Sequence, residues 1–169
     1  LCAQPGVGIV GAKLYYPDDT IQHAGVIVGL GGYAGHSHKY AKRGGSGYMF
    51  RAATVQDLSA VTAACLLVKA AVYDEAGGLD EGFAVAFNDV DFCLRVRALG
   101  YRVLFTPYAE LYHYESKSRG DDTRAGGEKQ ARYEREKARF CARYAGLMQQ
   151  GDPYYNPHFT LLYENYGYK

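Results

Sequence analysis

The sequence predicts an α/β fold: a mixed sheet flanked by helices, with a C-terminal helix and an extended tail. Three observations predict it. Val7 to Tyr16 and Ser59 to Val68 are apolar runs of strand length, and the second is continuous rather than alternating, as in a strand buried on both faces. Asp89 to Leu99 and Glu128 to Leu147 carry apolar residues at helical spacing. The last segment, Gly151 to Lys169, holds Pro153, Pro157 and many tyrosines, which suits an extended strap packed on a surface.

Taken in order, the first strand is stopped by Pro17-Asp18-Asp19, and a second short strand spans Ala24 to Val28. Gly29 to Tyr48 is rich in Gly, His, Lys and Ser and reads as a mobile loop. After the buried strand Ser59 to Val68, a short helix, Lys69 to Ala76, ends at Gly77-Gly78. The Asp89 helix ends at Gly100. Tyr101 to Phe105 is a strand broken by Pro107, and Ala109 to His113 is a separate extended piece. Ser116 to Gly127 is polar loop. The longest helix, Glu128 to Leu147, places Tyr133, Phe140, Tyr144 and Leu147 on one face. The organisation expected is a main unit over residues 1–120 and a helical extension over 121–169.

Composition excludes several classes. With 169 residues, 48% hydrophobic and 22% charged, the chain can build a core and is not disordered by default. A net charge of +1 supports no electrostatic claim on nucleic acid. No apolar run approaches the ~18–20 residues of a membrane span. The start lacks the basic and apolar regions of a signal peptide. It has no Met and reaches a strand almost at once, so we expect a fragment of a longer chain. Cys2, Cys65, Cys93 and Cys141 form no C-x-x-C pair. Cys65 and Cys93 read as buried thiols of a reducing compartment. Seventeen Tyr and no Trp suit either a wet, sugar-facing surface or a Tyr-rich core.

Gly6-Val7-Gly8-Ile9-Val10-Gly11 spells G-x-G-x-x-G. A dinucleotide fingerprint must follow a strand, open a helix and meet an acid about 20 residues on. Here the glycines lie inside the strand, and no acid stands near Leu30, so that reading is rejected. Asn88-Asp89-Val90-Asp91 opens a helix. Asn88 can cap it, both acids suit its positive end, and Asp91 can pair with Arg95 at i,i+4. The stripe Phe92, Val96 and Leu99 faces the core, with Asp89 on the same side one turn earlier. A carboxylate held there by backbone can equally act as a base. His113 at a strand end can be a metal ligand, a base or a hydrogen-bonded filler. Ser116, Ser118 and Arg119 can hold phosphate oxygens or simply form a polar surface loop. Gly35-His36-Ser37-His38 reads as a solvated or acceptor-contacting loop in preference to half a zinc site. The basic-leaning helix Glu128 to Arg143 reads as a solvated face in preference to a membrane-binding one.

The order of these pieces resembles the C-terminal half of family 2 glycosyltransferases, especially rhamnosyltransferase-like and galactofuranosyltransferase-like members. The matching stretches are VGIVGAKLYYPDDTIQHAGVIVGLGG, the block from Ser59 to Gly120, and DPYYNPHFTLLYEN. The resemblance implies a partial GT-A fold, Rossmann-like, containing the acceptor half of the enzyme. It implies inverting transfer of a sugar from a nucleotide-diphospho-sugar to a hydroxyl of a glycan or lipid-linked acceptor. Asp89 then matches the general base, and Asn88, Asp91 and Thr62 match acceptor contacts. Ser116, Ser118 and Arg119 match the loop over the donor diphosphate. His113 matches a ligand of Mg²⁺ or Mn²⁺, completed by an Asp-x-Asp that this chain lacks; Asp89-Val90-Asp91 has that spelling but comes too late in the fold order. Family members have two adjacent acids where this chain has Asn88-Asp89. The resemblance also implies a cytoplasmic enzyme, with peripheral association at the inner face of the cell membrane, and an isolated chain that is inactive without its donor half. The competing reading is a non-catalytic sugar-binding or scaffold domain.

Overall fold

The computed structural model describes residues 1–114 and 127–169. Its centre is β1 (Val7–Tyr15), whose nine residues are all buried, Lys13 included. A strand buried on both faces needs partners on both edges. On one edge lies β7 (Arg102–Tyr112), parallel to it; on the other lie β2 (Ile21–His23) and β6 (Leu66–Val68), both antiparallel. β5 (Gln56–Asp57) pairs antiparallel with the outer edge of β7 and completes a five-stranded mixed sheet.

Between β6 and β7 the chain forms α1 (Ala70–Glu75) and α2 (Asn88–Ala98). α2 packs on β1 and β7 and feeds β7 through the Gly100 turn. Its N-terminus therefore points toward the end where β1 and β7 finish. The glycines of the rejected dinucleotide motif serve this packing. A Cβ at Gly8 would stand 2.8 Å from Val96 Cγ1 of α2, and one at Gly11 would stand 2.5 Å from Val61 Cβ. Both approaches are closer than side-chain atoms allow, so glycine is required for α2 and the Ser59–Val61 segment to seat on β1.

Several expectations hold: β1, α1, α2, the Asp91–Arg95 pair and the buried face of the long helix. Others are corrected. The segment from Gly29 to Tyr48 is not simply a loop. β4 (Ala34–His36) pairs with β3 (Val26–Val28) as a hairpin around a 3₁₀ turn at Leu30–Gly32, and Leu30, Ala34, Ser37 and His38 are buried. The expected strand over 59–68 is regular only at Leu66–Val68; Ser59, Ala60 and Val61 are buried in irregular chain, packed against β1 and β3. The break predicted at Pro107 is a bulge within one strand. Ala12 pairs with Thr106 and Lys13 with Glu110, so Pro107, Tyr108 and Ala109 stand outside the β1 register. A proline that cannot donate is tolerated there.

The long helix is two: α3 (Gly127–Arg143) and α4 (Ala145–Gln150), broken at Tyr144. Phe140 of α3 is fully buried in the main core with Phe87, Phe92 and Val61. Leu99 is exposed, so the apolar stripe of α2 ends at Val96. Cys93 is buried, with burial pushing its thiol up to about 12, whereas Cys65 is only half-buried. The tail is packed as expected. Asp152 is buried and accepts from the Val28 amide (2.8 Å), the Ser59 hydroxyl (2.7 Å) and the Tyr154 amide (2.9 Å). Tyr155, Phe159 and Tyr166 close a second small core on Ile27 and Leu30.

Candidate functional site

Asp89 sits in the first turn of α2, half-exposed. Each of its carboxylate oxygens accepts a backbone amide: Oδ1 from Val90 at 2.8 Å and Oδ2 from Ala63 at 3.0 Å. The two donors belong to different elements, so the carboxylate ties the helix start to the turn after Val61. Lone pairs on both oxygens remain for a substrate proton. Asn88 is the first helical residue rather than the cap; its Oδ1 accepts the Asp89 amide at 2.7 Å. The capping position is taken by Phe87, in the left-handed region at φ 63°. That conformation costs a bulky residue about 1–3 kcal/mol and persists only where surrounding contacts over-determine it.

Thr62 belongs to the same turn. Its Oγ1 accepts the Ala64 amide at 3.3 Å, and its own amide donates to His23 Nε2 at 3.3 Å. Because His23 Nε2 accepts, its Nδ1 carries the proton and donates to His36 Nδ1 at 2.9 Å. His23 is fully buried, and desolvation, with His36 beside it, holds the ring neutral well below the usual histidine range. Thr62, Asn88 and Asp89 are thus brought together, with the His23–His36 pair behind them.

Asp91 is placed differently. It is fully buried, and its carboxylate accepts from Arg95 Nε (2.8 Å), Arg143 (2.7 Å) and the Tyr144 hydroxyl (2.7 Å). It joins α2 to the α3–α4 junction instead of facing the Ala63 turn. Burial and this bond push the Tyr144 hydroxyl well above its ordinary range. Arg143 also reaches Asp80, as does Arg139, and the two guanidiniums hold the Asp80 carboxyl down at about 2. The predicted solvated face of this helix largely holds, since Arg139 and Arg143 remain exposed to solvent, but both also pair with acids of the α1–α2 region.

His113 follows β7, its amide donating to Tyr15 O at 3.0 Å. Its Nδ1 lies 2.8 Å from Gln22 Oε1, and Gln22 Nε2 donates to the His113 carbonyl at 3.3 Å. The second bond fixes which amide atom is oxygen, so Nδ1–H must be the donor and Nε2 is left with its lone pair outward. Metal-ligating histidines are oriented in this way by a partner on the other nitrogen. Among the described residues no three His, Cys, Asp or Glu side chains gather as a complete metal site. β2 links the two halves of the site: Gln22 orients His113, and His23, next along, holds Thr62. His113 also lies where the parallel strands β1 and β7 end, the end at which open α/β sheets collect ligands.

Ser116, Ser118 and Arg119 lie outside the described residues. His36 and His38 do not form half a metal site. His38 is buried, accepts the Tyr48 amide at Nε2 and meets Ser37 Oγ at 2.7 Å, with its ring against Tyr166. Sequence reasoning missed His23, Gln22 and Glu136. Gln22 and His23 make up most of the three-residue β2 and are buried, and two polar residues there gave no apolar signal. Glu136 falls between Tyr133 and Phe140 on the buried face, so an acid within an apolar stripe was its signal.

The chain is similar to three longer proteins. It is 52% identical over 95% of its length to the uncharacterized protein y4gI of Sinorhizobium fredii (strain NBRC 101917 / NGR234), of which it covers 18%. It is 40% identical over 94% of its length to the O-antigen biosynthesis protein RfbC of Myxococcus xanthus, covering 12% of that protein. Over 62 residues, 37% of the chain, it is 32% identical to an N-acetylglucosaminyl-diphospho-decaprenol L-rhamnosyltransferase of Mycobacterium tuberculosis, covering 20% of it. The chain therefore spans a fifth or less of each relative. No family model and no solved structure matches it. Among the described residues, no helix is long and apolar enough to cross a membrane.

Proposed function

We propose that this chain is the acceptor-side part of a family 2 glycosyltransferase with a GT-A fold. In this reading Asp89 is the general base of an inverting transfer. The observation that carries it is the double amide anchor of a half-exposed carboxylate, from Val90 and Ala63. Such an anchor fixes the carboxylate without using all its lone pairs, which is what a base needs. The similarity to an O-antigen biosynthesis protein and to a rhamnosyltransferase supports the reaction class.

Asp89 takes the proton of an acceptor hydroxyl as that oxygen attacks the anomeric carbon of a nucleotide-diphospho-sugar; the bond to the diphosphate breaks on the opposite face. The acceptor is a glycan or lipid-linked sugar. Thr62 and Asn88 flank the hydroxyl, while Asp91 holds the helix that carries the base. His113 would offer Nε2 as one ligand to Mg²⁺ or Mn²⁺, completed by an Asp-x-Asp that this chain lacks. When bound, the metal offsets the charge of the leaving diphosphate. The enzyme works at the cytoplasmic face of the membrane, and the isolated chain is inactive.

The test is Asp89→Asn in the full-length protein, assayed with a panel of UDP- and dTDP-sugars. Transfer is expected to fall by at least about 10²-fold, the low end for removing a general base, with donor binding kept. Near-wild-type turnover sinks the assignment. The competing reading, a non-catalytic sugar-binding domain, draws on an open cleft of about 550 Å³ lined by Tyr48, Phe159, Tyr168, Asn156, His158 and Lys169. Oligosaccharide binding that is indifferent to nucleotide, metal and Asp89→Asn favours it.

A further inference from the structure

The loop that delivers Asp89 is held from outside. Glu136 of α3 is nearly fully buried, and its two carboxylate oxygens accept the amides of Ala84 (3.1 Å) and Ala86 (2.6 Å). Those residues immediately precede Phe87 and the acidic motif. The Phe87 ring is stacked on Phe140 at 5.0 Å and meets Tyr133 at 5.9 Å. Tyr133, Glu136 and Phe140 share one face of α3. One turn further on, Arg143 and Tyr144 grip Asp91. The same helix face therefore fixes the loop before Asp89 and the residue after Val90, and keeps Phe87 in its left-handed conformation.

We infer that Glu136 is a positioning residue for Asp89: by bonding the Ala84 and Ala86 amides it fixes Phe87, and with it the start of α2 that aims the Asp89 carboxylate at the Ala63 turn. A buried acid is otherwise an odd choice for an apolar helix face. Bonds to the alternate loop positions Ala84 and Ala86 explain it, because only a carboxylate offers two acceptor oxygens at that spacing. The catalytic part of the inference rests on the reading of Asp89 as base; the geometric part does not.

Glu136→Gln separates the two. It keeps size and shape but turns an NH₂ toward one of the two amide donors. The informative signals in ¹H–¹⁵N spectra of the chain are the amides of Ala63 and Val90, which donate to Asp89 and do not touch Glu136. Both are expected to shift and to exchange with solvent about tenfold faster, with the thermal midpoint kept within a few degrees. If Ala84 and Ala86 respond while Ala63 and Val90 stay as in the wild type, the positioning role is overturned. Should that variant not fold, Tyr144→Phe loosens the same helix face through Asp91, and the same two amides decide. In the transfer assay of the full-length protein, Glu136→Gln is expected to lower kcat by about 10²-fold, the usual cost of a misplaced reacting group, with donor KM unchanged. Wild-type kcat overturns the inference even where Asp89→Asn is inactive. An active Asp89→Asn overturns the base and leaves the amide result standing.

Discussion

Acidification from pH 7 to pH 5 is expected to destabilise the fold through two buried histidines. His38 is 6% exposed; burial chiefly, then Arg51 and Lys13, depresses its ring from 6.5 to about 4. Both its nitrogens are engaged, by the Tyr48 amide and by Ser37, and Tyr166 covers its face. His23, enclosed by His36 and the Thr62 amide, is likewise held well below its ordinary range, chiefly by burial and then by His36. Each is neutral when folded and takes a proton when unfolded, at about pH 6.5. Between these values the unfolded state binds more protons, so stability is full above about pH 6.5 and falls as pH drops through it.

For His38 the proton linkage from pH 7 to pH 5 amounts to about 2 kcal/mol, and the depressed His23 ring acts in the same direction. The carboxylates with lowered values, Asp18, Asp19, Asp80 and Glu110, lose their contribution chiefly below about pH 4.5, beneath this window. Urea unfolding at fixed ionic strength, extrapolated linearly at each pH, measures the loss. The expected fall is at least about 2 kcal/mol for the wild type. The slope is expected to become shallower in His38→Asn, whose side-chain amide can still donate to Ser37 Oγ. A stability that changes by less than about 1 kcal/mol between pH 7 and pH 5 refutes the argument, since one neutral buried histidine would already exceed that.

Asp91→Asn leaves Arg95 and Arg143 facing a neutral group. Both arginines keep solvent contact, at 28% and 35% side-chain exposure, so the loss is placed at the low end for a broken buried pair, about 3 kcal/mol. For a chain of this size that lowers the midpoint by about 6–12 °C; calorimetry showing less than about 2 °C contradicts the role of Asp91 as the α2–α3 tie. His113→Ala in the full-length protein should raise the Mg²⁺ or Mn²⁺ concentration for half-maximal transfer by about tenfold or more. An unchanged metal titration removes His113 from the ligand set.

What the sequence revealed and what it concealed divide along a physical line. β1, α1 and α2 were legible because periodicity and stop signals are local: Pro17 after β1, Gly77-Gly78 after α1, Gly100 after α2. Asp89 stood out because a helix start favours an acid whatever surrounds it. The β3–β4 hairpin was hidden because its glycines and histidines look solvated. Among its residues Leu30, Ser37 and His38 are nonetheless buried, because the tail from Asp152 to Tyr166 folds over them, and no window of the hairpin sequence contains that partner. The continuous apolar run over 59–68 misled for the reverse reason. Its first residues are buried by contact with Gly11 and by a single bridge from Ala60 to Val26 of β3, not by a regular strand ladder, and burial without a ladder leaves the same composition.

The long helix shows how charge can be misread by counting. Its basic residues outnumber its acids, and a count gives a solvated or anion-seeking surface. The structure sorts them by face. Arg139 and Arg143 turn toward Asp80 and Asp91, and Glu136 turns toward two amides that no charge count includes. Each Glu136 oxygen receives a charge-assisted hydrogen bond from a backbone amide, with Arg132 Nε as a longer ion-pair partner at 3.9 Å. The basic excess of α3 is thus partly the complement of acids near the candidate site rather than a signal to an outside partner. Its function follows from the same sorting: the helix that looked most like a surface is the one that holds the acidic motif in place.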